Sequence, residues 1–221
     1  MNRQSIVVGV ALAAFTGFLI AAIIFTGSPG ESPPSPSRVT EQGVLVRPHS
    51  PVIGPANARV TIVEFFDPSC EACRAFHPIV KQILAQFPND VRLVLRYAPF
   101  HEGSDEAVRI LEASRAQRKF ETVLDALFEK QADWAVHGAP DLARAWAIAG
   151  ETGLDVEAAK TLAKSAEVDA VLKKDVADLT ALGVRQTPTF YVNEKSLEEF
   201  GPEQLLRLVQ SEVDLKAAPP P

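Results

Sequence analysis

The chain has 221 residues, 47% of them hydrophobic, with 22 basic against 28 acidic side chains, two cysteines and a formal net charge of −6. That length accommodates one sizeable domain plus an appendage. The acidic balance, with no Lys/Arg cluster interleaved with aromatics, argues against a polyanion-binding surface, so nucleic acid is not an expected partner. Two cysteines are too few for a disulfide-stapled fold.

In chain order, the first feature is Ile6 to Phe25, which contains no charged residue. Roughly 20 apolar residues at about 1.5 Å each suffice to cross a bilayer. Arg3 precedes the run and Glu31 follows it, so the positive-inside rule directs the rest of the chain outward. A cleaved signal peptide starts the same way. This run, however, exceeds the usual core of about 7–15 apolar residues and ends in Ile23-Ile24-Phe25-Thr26-Gly27-Ser28, without a clear Ala-x-Ala site. Residues 1–27 are read as one N-terminal transmembrane anchor, with a signal peptide as the alternative. Residues 28–43 are read as a linker, with four prolines between Ser28 and Ser37. The expected location is the bacterial cytoplasmic membrane, single-pass, with the working domain, residues 44–215, on the periplasmic side.

Arg59 to Phe66 has the apolar, β-branched character of a buried strand, and Val91 to Tyr97 reads as a second. Between them, Phe76, Ile79, Val80, Ile83, Leu84 and Phe87 recur at helical spacing over a segment starting near Cys70. Strand, helix, strand predicts a βαβ unit with a parallel pair. Cys70-Glu71-Ala72-Cys73 stands at the start of that helix, in an order suited to reversible disulfide chemistry. With Ser69 as cap, free amides and the positive end of the helix dipole would stabilise a Cys70 thiolate, making Cys70 the nucleophile and Cys73 the resolving thiol. His77, one turn beyond Cys73, opens a second class of reading: a tethered copper-handling or metal-binding module using Cys70, Cys73 and His77. The single methionine, Met1, lends no methionine-rich copper motif to it. Glu64, six residues before Cys70 in an apolar strand, is either a strand-edge residue facing solvent or a buried acid.

After Gly103 the pattern turns helical. Phe120, Val123, Leu124, Leu127 and Phe128 form one face, Leu142 to Ala149 a second segment, and Val156 to Leu182 one or two more, ended by Gly183. His101, Trp134 and Trp146 read as packing or surface residues of this insert, about 103–182. A strand returns at Thr189 to Val192, a turn follows at Asn193-Glu194-Lys195, and Gly201-Pro202-Glu203 opens a last helix through Val213.

Four features together resemble the thioredoxin superfamily, in its DsbA-like branch. They are Val63-Glu64-Phe65-Phe66 leading into Cys70-Glu71-Ala72-Cys73, the long helical insert, Gly183-Val184-Arg185-Gln186-Thr187-Pro188-Thr189-Phe190, and the terminal helix. The resemblance covers roughly Val44 to Val213. It implies an α/β thioredoxin fold with an inserted helical domain, here preceded by one transmembrane helix. It implies a protein-disulfide oxidoreductase with catalytic Cys70, Cys73 and Glu64, the last assisting proton transfer at the resolving cysteine. It also implies that Thr187-Pro188 is a cis peptide whose backbone pairs with substrate, and that Pro78 kinks the active-site helix. No cofactor and no metal belong to it. The partners would be exported proteins bearing thiols or disulfides and a membrane protein that recycles the dithiol, the chain acting as a monomer. Glu71 and Asp67 near the nucleophile, and threonine before the proline, point to a less oxidising protein than the strongest DsbA-type oxidases, with the direction of electron flow open.

Overall fold

In the computed structural model, residues 41–217 are described. The expected anchor, and the linker up to residue 40, lie outside them. Among the described residues no helix is long and apolar enough to cross a membrane.

The chain opens with α1 (Glu41–Leu45) and a short edge strand, β1 (Val52–Ile53). The predicted βαβ unit follows as β2 (Val60–Phe66), α2 (Glu71–Gln86) and β3 (Val91–Tyr97). β2 and β3 pair in parallel from Val60↔Val91 to Phe66↔Tyr97. Six helices come next: α3 (Ser104–Ala116), α4 (Phe120–Glu129), α5 (Gln131–Trp134), α6 (Leu142–Glu151), α7 (Val156–Ala163) and α8 (Ala166–Ala181). The chain then returns to the sheet through β4 (Thr189–Val192) and β5 (Lys195–Ser196) and closes with α9 (Pro202–Ala217). The five strands lie in the order β1-β3-β2-β4-β5, with β4 antiparallel to β2. The thioredoxin-like fold with a helical insertion is therefore present. Asn193 and Glu194, at φ 46° and 72°, make the tight β4–β5 turn, and Lys195 already belongs to β5.

Period two decides which side chains meet which layer. Ile62 and Phe66 on β2 enter the larger core with Val80, Ile83, Leu124 and Trp134, while Val63 and Phe65 enter a smaller one with Leu45, Leu179 and Val184. Glu64 shares the parity of Ile62 and Phe66, so it faces the side where α2 and the cysteines pack. It is only 4% exposed, which removes the solvent-facing alternative.

The insert reaches back to the Cys-x-x-Cys end of the sheet. Gly103, at φ 77°, turns the chain from β3 into α3, and a Cβ there would come within 2.9 Å of Leu142 Cδ2. Gln131 on α5 donates to Pro68 O at 2.8 Å and Cys70 O at 3.1 Å, tying the insert to the Cys-x-x-Cys loop.

Candidate functional site

Cys70 is itself the N-cap of α2, with extended φ/ψ of −79° and 122°, and no side chain caps the helix. The expected role of Ser69 is thus corrected. Its N–H donates to Asp67 Oδ1 at 2.8 Å and its hydroxyl is paired with that of Ser104 at 2.8 Å, so the serine braces the turn before the helix. Asp-Pro-Ser is an Asx turn, with the aspartate side chain folding back on its own backbone.

Both cysteines are free thiols. Cys70 Sγ lies 3.3 Å from Thr187 O, and Asp67 N–H points at Cys73 Sγ at 3.4 Å. The Thr187–Pro188 peptide is cis, and the carbonyl before the proline lies against Cys70 Sγ. Cys70, Cys73, Thr187 and Pro188, far apart in sequence, therefore share one locus.

The electrostatics separate the two sulfurs. The Cys73 thiol, as hydrogen-bond donor, is the largest cause that lowers Cys70 to about 5; burial opposes it, and Thr187 and the N–H groups of Cys73 and Ala72 add to it. Cys73 is driven the other way, far above an ordinary thiol, by burial first, then by its bond to Cys70 and the charge of Glu64. Glu64 is pushed up to about 8, by burial first and the Cys70 charge second. At neutral pH the resting set is a Cys70 thiolate, a Cys73 thiol and a neutral Glu64 carboxyl. Of these three groups only Cys70 then carries a charge.

Asp67 is fully buried and well supplied with donors. Ser69 N–H and the Ser104 hydroxyl reach Oδ1; Phe100 N–H, His101 N–H and His101 Nδ1 reach Oδ2 at 2.7, 2.9 and 2.7 Å. His101, read from sequence as a packing or surface residue of the insert, is therefore joined to the site through Asp67. His137 does too: its Nε2 meets Glu71 Oε1 at 2.8 Å, and its ring lies 5.5 Å from that of His101. No sequence signal links 137 to 71. For Asp67, the Asp-Pro-Ser turn beside the cysteines was a readable cue.

The alternative three-ligand set of Cys70, Cys73 and His77 is not assembled. His77 Nε2 is bound to Asp125 at 2.6 Å and its ring packs on Phe128, on the α4 side of the helix. Among the described residues no group of three or more His, Cys, Asp or Glu side chains is placed to hold a metal ion. Pro78 lies inside α2, and Trp134 and Trp146 are buried with their indole N–H groups on Leu127 O and Glu106.

Comparison with known proteins agrees with this arrangement. The family described as Thioredoxin matches residues 47–211. The crystal structure of a thioredoxin-like oxidoreductase from Silicibacter pomeroyi DSS-3 superposes with a TM-score of 0.67 at 35% identity, covering 80% of this chain and 98% of that one. Disulfide bond formation protein D of Bacillus subtilis is 31% identical over 163 residues, 68% of this chain and 70% of that protein. A protein of Herminiimonas arsenicoxydans named Na(+)/H(+) antiporter NhaA is 33% identical over 158 residues, 70% of this chain but 24% of that protein. The chain spans about a fifth to a third of the length of the antiporter relatives it matches.

Proposed function

The chain belongs to the thioredoxin family, among its DsbA-like thiol:disulfide oxidoreductases, and from that membership we propose that Cys70 and Cys73 exchange disulfides with cysteines of exported proteins. The observation that carries the proposal is the split between the two sulfurs, Cys70 lowered to about 5 and Cys73 raised, over a neutral buried Glu64.

In the oxidising direction a client thiolate attacks Cys70 Sγ. The Cys70–Cys73 bond breaks, a mixed disulfide forms, and Cys73 leaves as a thiolate that takes its proton from the Glu64 carboxyl. A second client thiolate attacks the client sulfur of the mixed disulfide. Cys70 leaves as the stabilised thiolate, and the client carries the new disulfide. In the reducing direction the same steps reverse, with Glu64 accepting the Cys73 proton. The Thr187 carbonyl side of the cis peptide, beside Cys70, is the edge on which a client backbone would lie.

A Cys70 near 5 falls between the nucleophiles of thioredoxin, about 7, and DsbA, about 3.5. Interpolating between their potentials of about −270 and −120 mV gives roughly −185 mV, a less oxidising protein than the strongest DsbA-type oxidases. The uncharged run Ile6–Phe25 supports a membrane anchor holding this domain on the periplasmic side, with a membrane redox partner recycling the dithiol. No transport activity is proposed.

The test is trapping with the full-length chain. Cys73→Ser is expected to accumulate mixed disulfides with exported proteins through Cys70, and Cys70→Ser to accumulate none and lose turnover. Equal, background levels of adducts in both variants would contradict the proposal.

A further inference from the structure

The Cys-Glu-Ala-Cys loop carries an acid and no base between its cysteines, yet two imidazoles stand over it. His101 comes from the β3–α3 turn and His137 from the α5–α6 connection. They reach the same end of α2 from different parts of the chain, with rings 5.5 Å apart. Each is fixed by a carboxylate: His101 Nδ1 by Asp67 at 2.7 Å, and His137 Nε2 by Glu71 at 2.8 Å. The two differ in exposure, His101 at 30% and His137 at 65%, so His101 is the less screened of the pair.

We propose that His101, clamped by Asp67 and backed by His137, is a positioning residue that supplies positive charge to the Cys70 thiolate and so sets how strongly the reduced form is held. The inference rests on the thiol:disulfide reading of Cys70 and Cys73 given above. The groups facing this pair are Asp67 from the β2–α2 turn, Cys70 and Glu71 from the start of α2, and each other imidazole; Ser104 of α3 shares the Asp67 carboxylate. Burial works against a charge on His101. It is outweighed by the hydrogen bond and charge of Asp67, with Cys70 and Glu71 adding, so the group is held above the ordinary histidine value. Glu71 responds in kind: its own backbone N–H is the first cause that holds it low, and the bond to His137 and the charges of both histidines follow.

The coupling must act in both directions. Reduction of the disulfide by two glutathione thiols gives one oxidised glutathione, a Cys70 thiolate, a Cys73 thiol and one released proton. A neutral imidazole beside the new thiolate binds that proton more tightly than it did beside the disulfide. Hence reduction raises the proton affinity of His101, and protonation of His101 favours reduction. The released proton makes reduction by glutathione weaken on acidification; protonation of His101 offsets part of that loss through its transition, and the offset vanishes well above it.

The test follows the His101 ring by NMR in the full-length chain as pH is varied, in the reduced and the oxidised form, with the resonance assigned through His101→Asn. The proton affinity of His101 is expected to be about two- to fivefold higher in the reduced form, the size of a partly screened charge pair. His101→Asn should lower the equilibrium constant for reduction by glutathione about two- to fivefold near pH 6 and leave it unchanged near pH 9. His137→Asn, which keeps a donor for Glu71, should show the smaller change in the same direction. Identical His101 titration in the two redox forms would overturn the inference. So would a His101→Asn effect of equal size at both pH values, which would mark a structural role. If His101→Asn does not fold, replacing His49, His77 and His137 by Asn in turn leaves the fourth resonance as His101, and the wild-type titration still decides the matter. A chain that does not interconvert with glutathione at all would instead overturn the thiol:disulfide reading.

Discussion

Strands β2 and β3 lie side by side and each buries a charged residue, but the structure treats the two charges in opposite ways. Arg96 on β3 is fully buried and fully answered. Its guanidinium donates to Asp175 Oδ1 at 3.0 and 2.8 Å, to Asp178 Oδ2 at 2.7 Å, and to the carbonyls of Val44 and Leu45. The two aspartates are in turn held by His49, Arg47 and the Tyr97 N–H. Asp178 is brought down to about 2: burial opposes this, but Arg47, Arg96 and Lys174 outweigh it. Glu64 on β2 faces the other layer, is equally removed from water, and is raised to about 8 by that burial, then by Cys70. A charge with a complete set of partners stays ionised and fixes α8 and α1 against the sheet. A carboxyl left without a cation stays neutral, and a neutral acid can give or take a proton at working pH. The same sheet thus carries a structural charge on one face and a chemical one on the other.

Removing a partner from the structural side should do the most damage. Asp175→Ala leaves Arg96 buried without its main counter-charge and is expected to cost about 3–5 kcal/mol of stability in denaturant unfolding, with the redox potential of the surviving folded protein unchanged. A loss below about 1 kcal/mol would mean that Arg96 is not the keystone described here. Glu64→Gln should act oppositely. In the native state Glu64 holds its proton up to about pH 8, whereas in the unfolded chain it loses it near 4.5, so the folded form binds the extra proton between those values. Its contribution is full below about 4.5 and is lost as pH rises through about 8. Cys70 runs the other way: its stabilisation is full above the ordinary thiol value of 9.0 and is lost as pH falls through about 5. The difference between Glu64→Gln and wild type cancels the Cys70 part. In the reduced protein the variant should therefore gain up to about 4 kcal/mol over wild type between pH 4.5 and 8, while resolution of the mixed disulfide slows. A difference independent of pH would show that Glu64 is not a raised acid.

These contrasts also show what could be read from the chain alone. β2, α2, β3 and β4 came from local periodicity, and β3 and β4 fall on the segments Val91–Tyr97 and Thr189–Val192 named from it. The Cys-x-x-Cys at a strand–helix junction is a local pattern as well. What stayed hidden was long-range pairing between side chains. Arg96 and Asp175 are 79 residues apart, Glu71 and His137 are 66 apart, and neither spacing carries a period. His77 misled because helical spacing alone puts it on a face near the cysteines, while its ring turns to Asp125, 48 residues away. Ser69 misled by one position, since the chain makes its Asx turn first and begins the helix with the cysteine itself.

The most direct measurement is the thiolate absorbance of the reduced full-length chain against pH, with Cys70→Ser and Cys73→Ser as assignments. The account predicts one thiolate appearing with a midpoint near 5, lost in Cys70→Ser, and no second thiolate as the pH passes the ordinary thiol value of 9.0. A single transition at the ordinary thiol value near 9, or two thiolates ionising together, would contradict the division of labour between Cys70 and Cys73 on which the proposed chemistry depends.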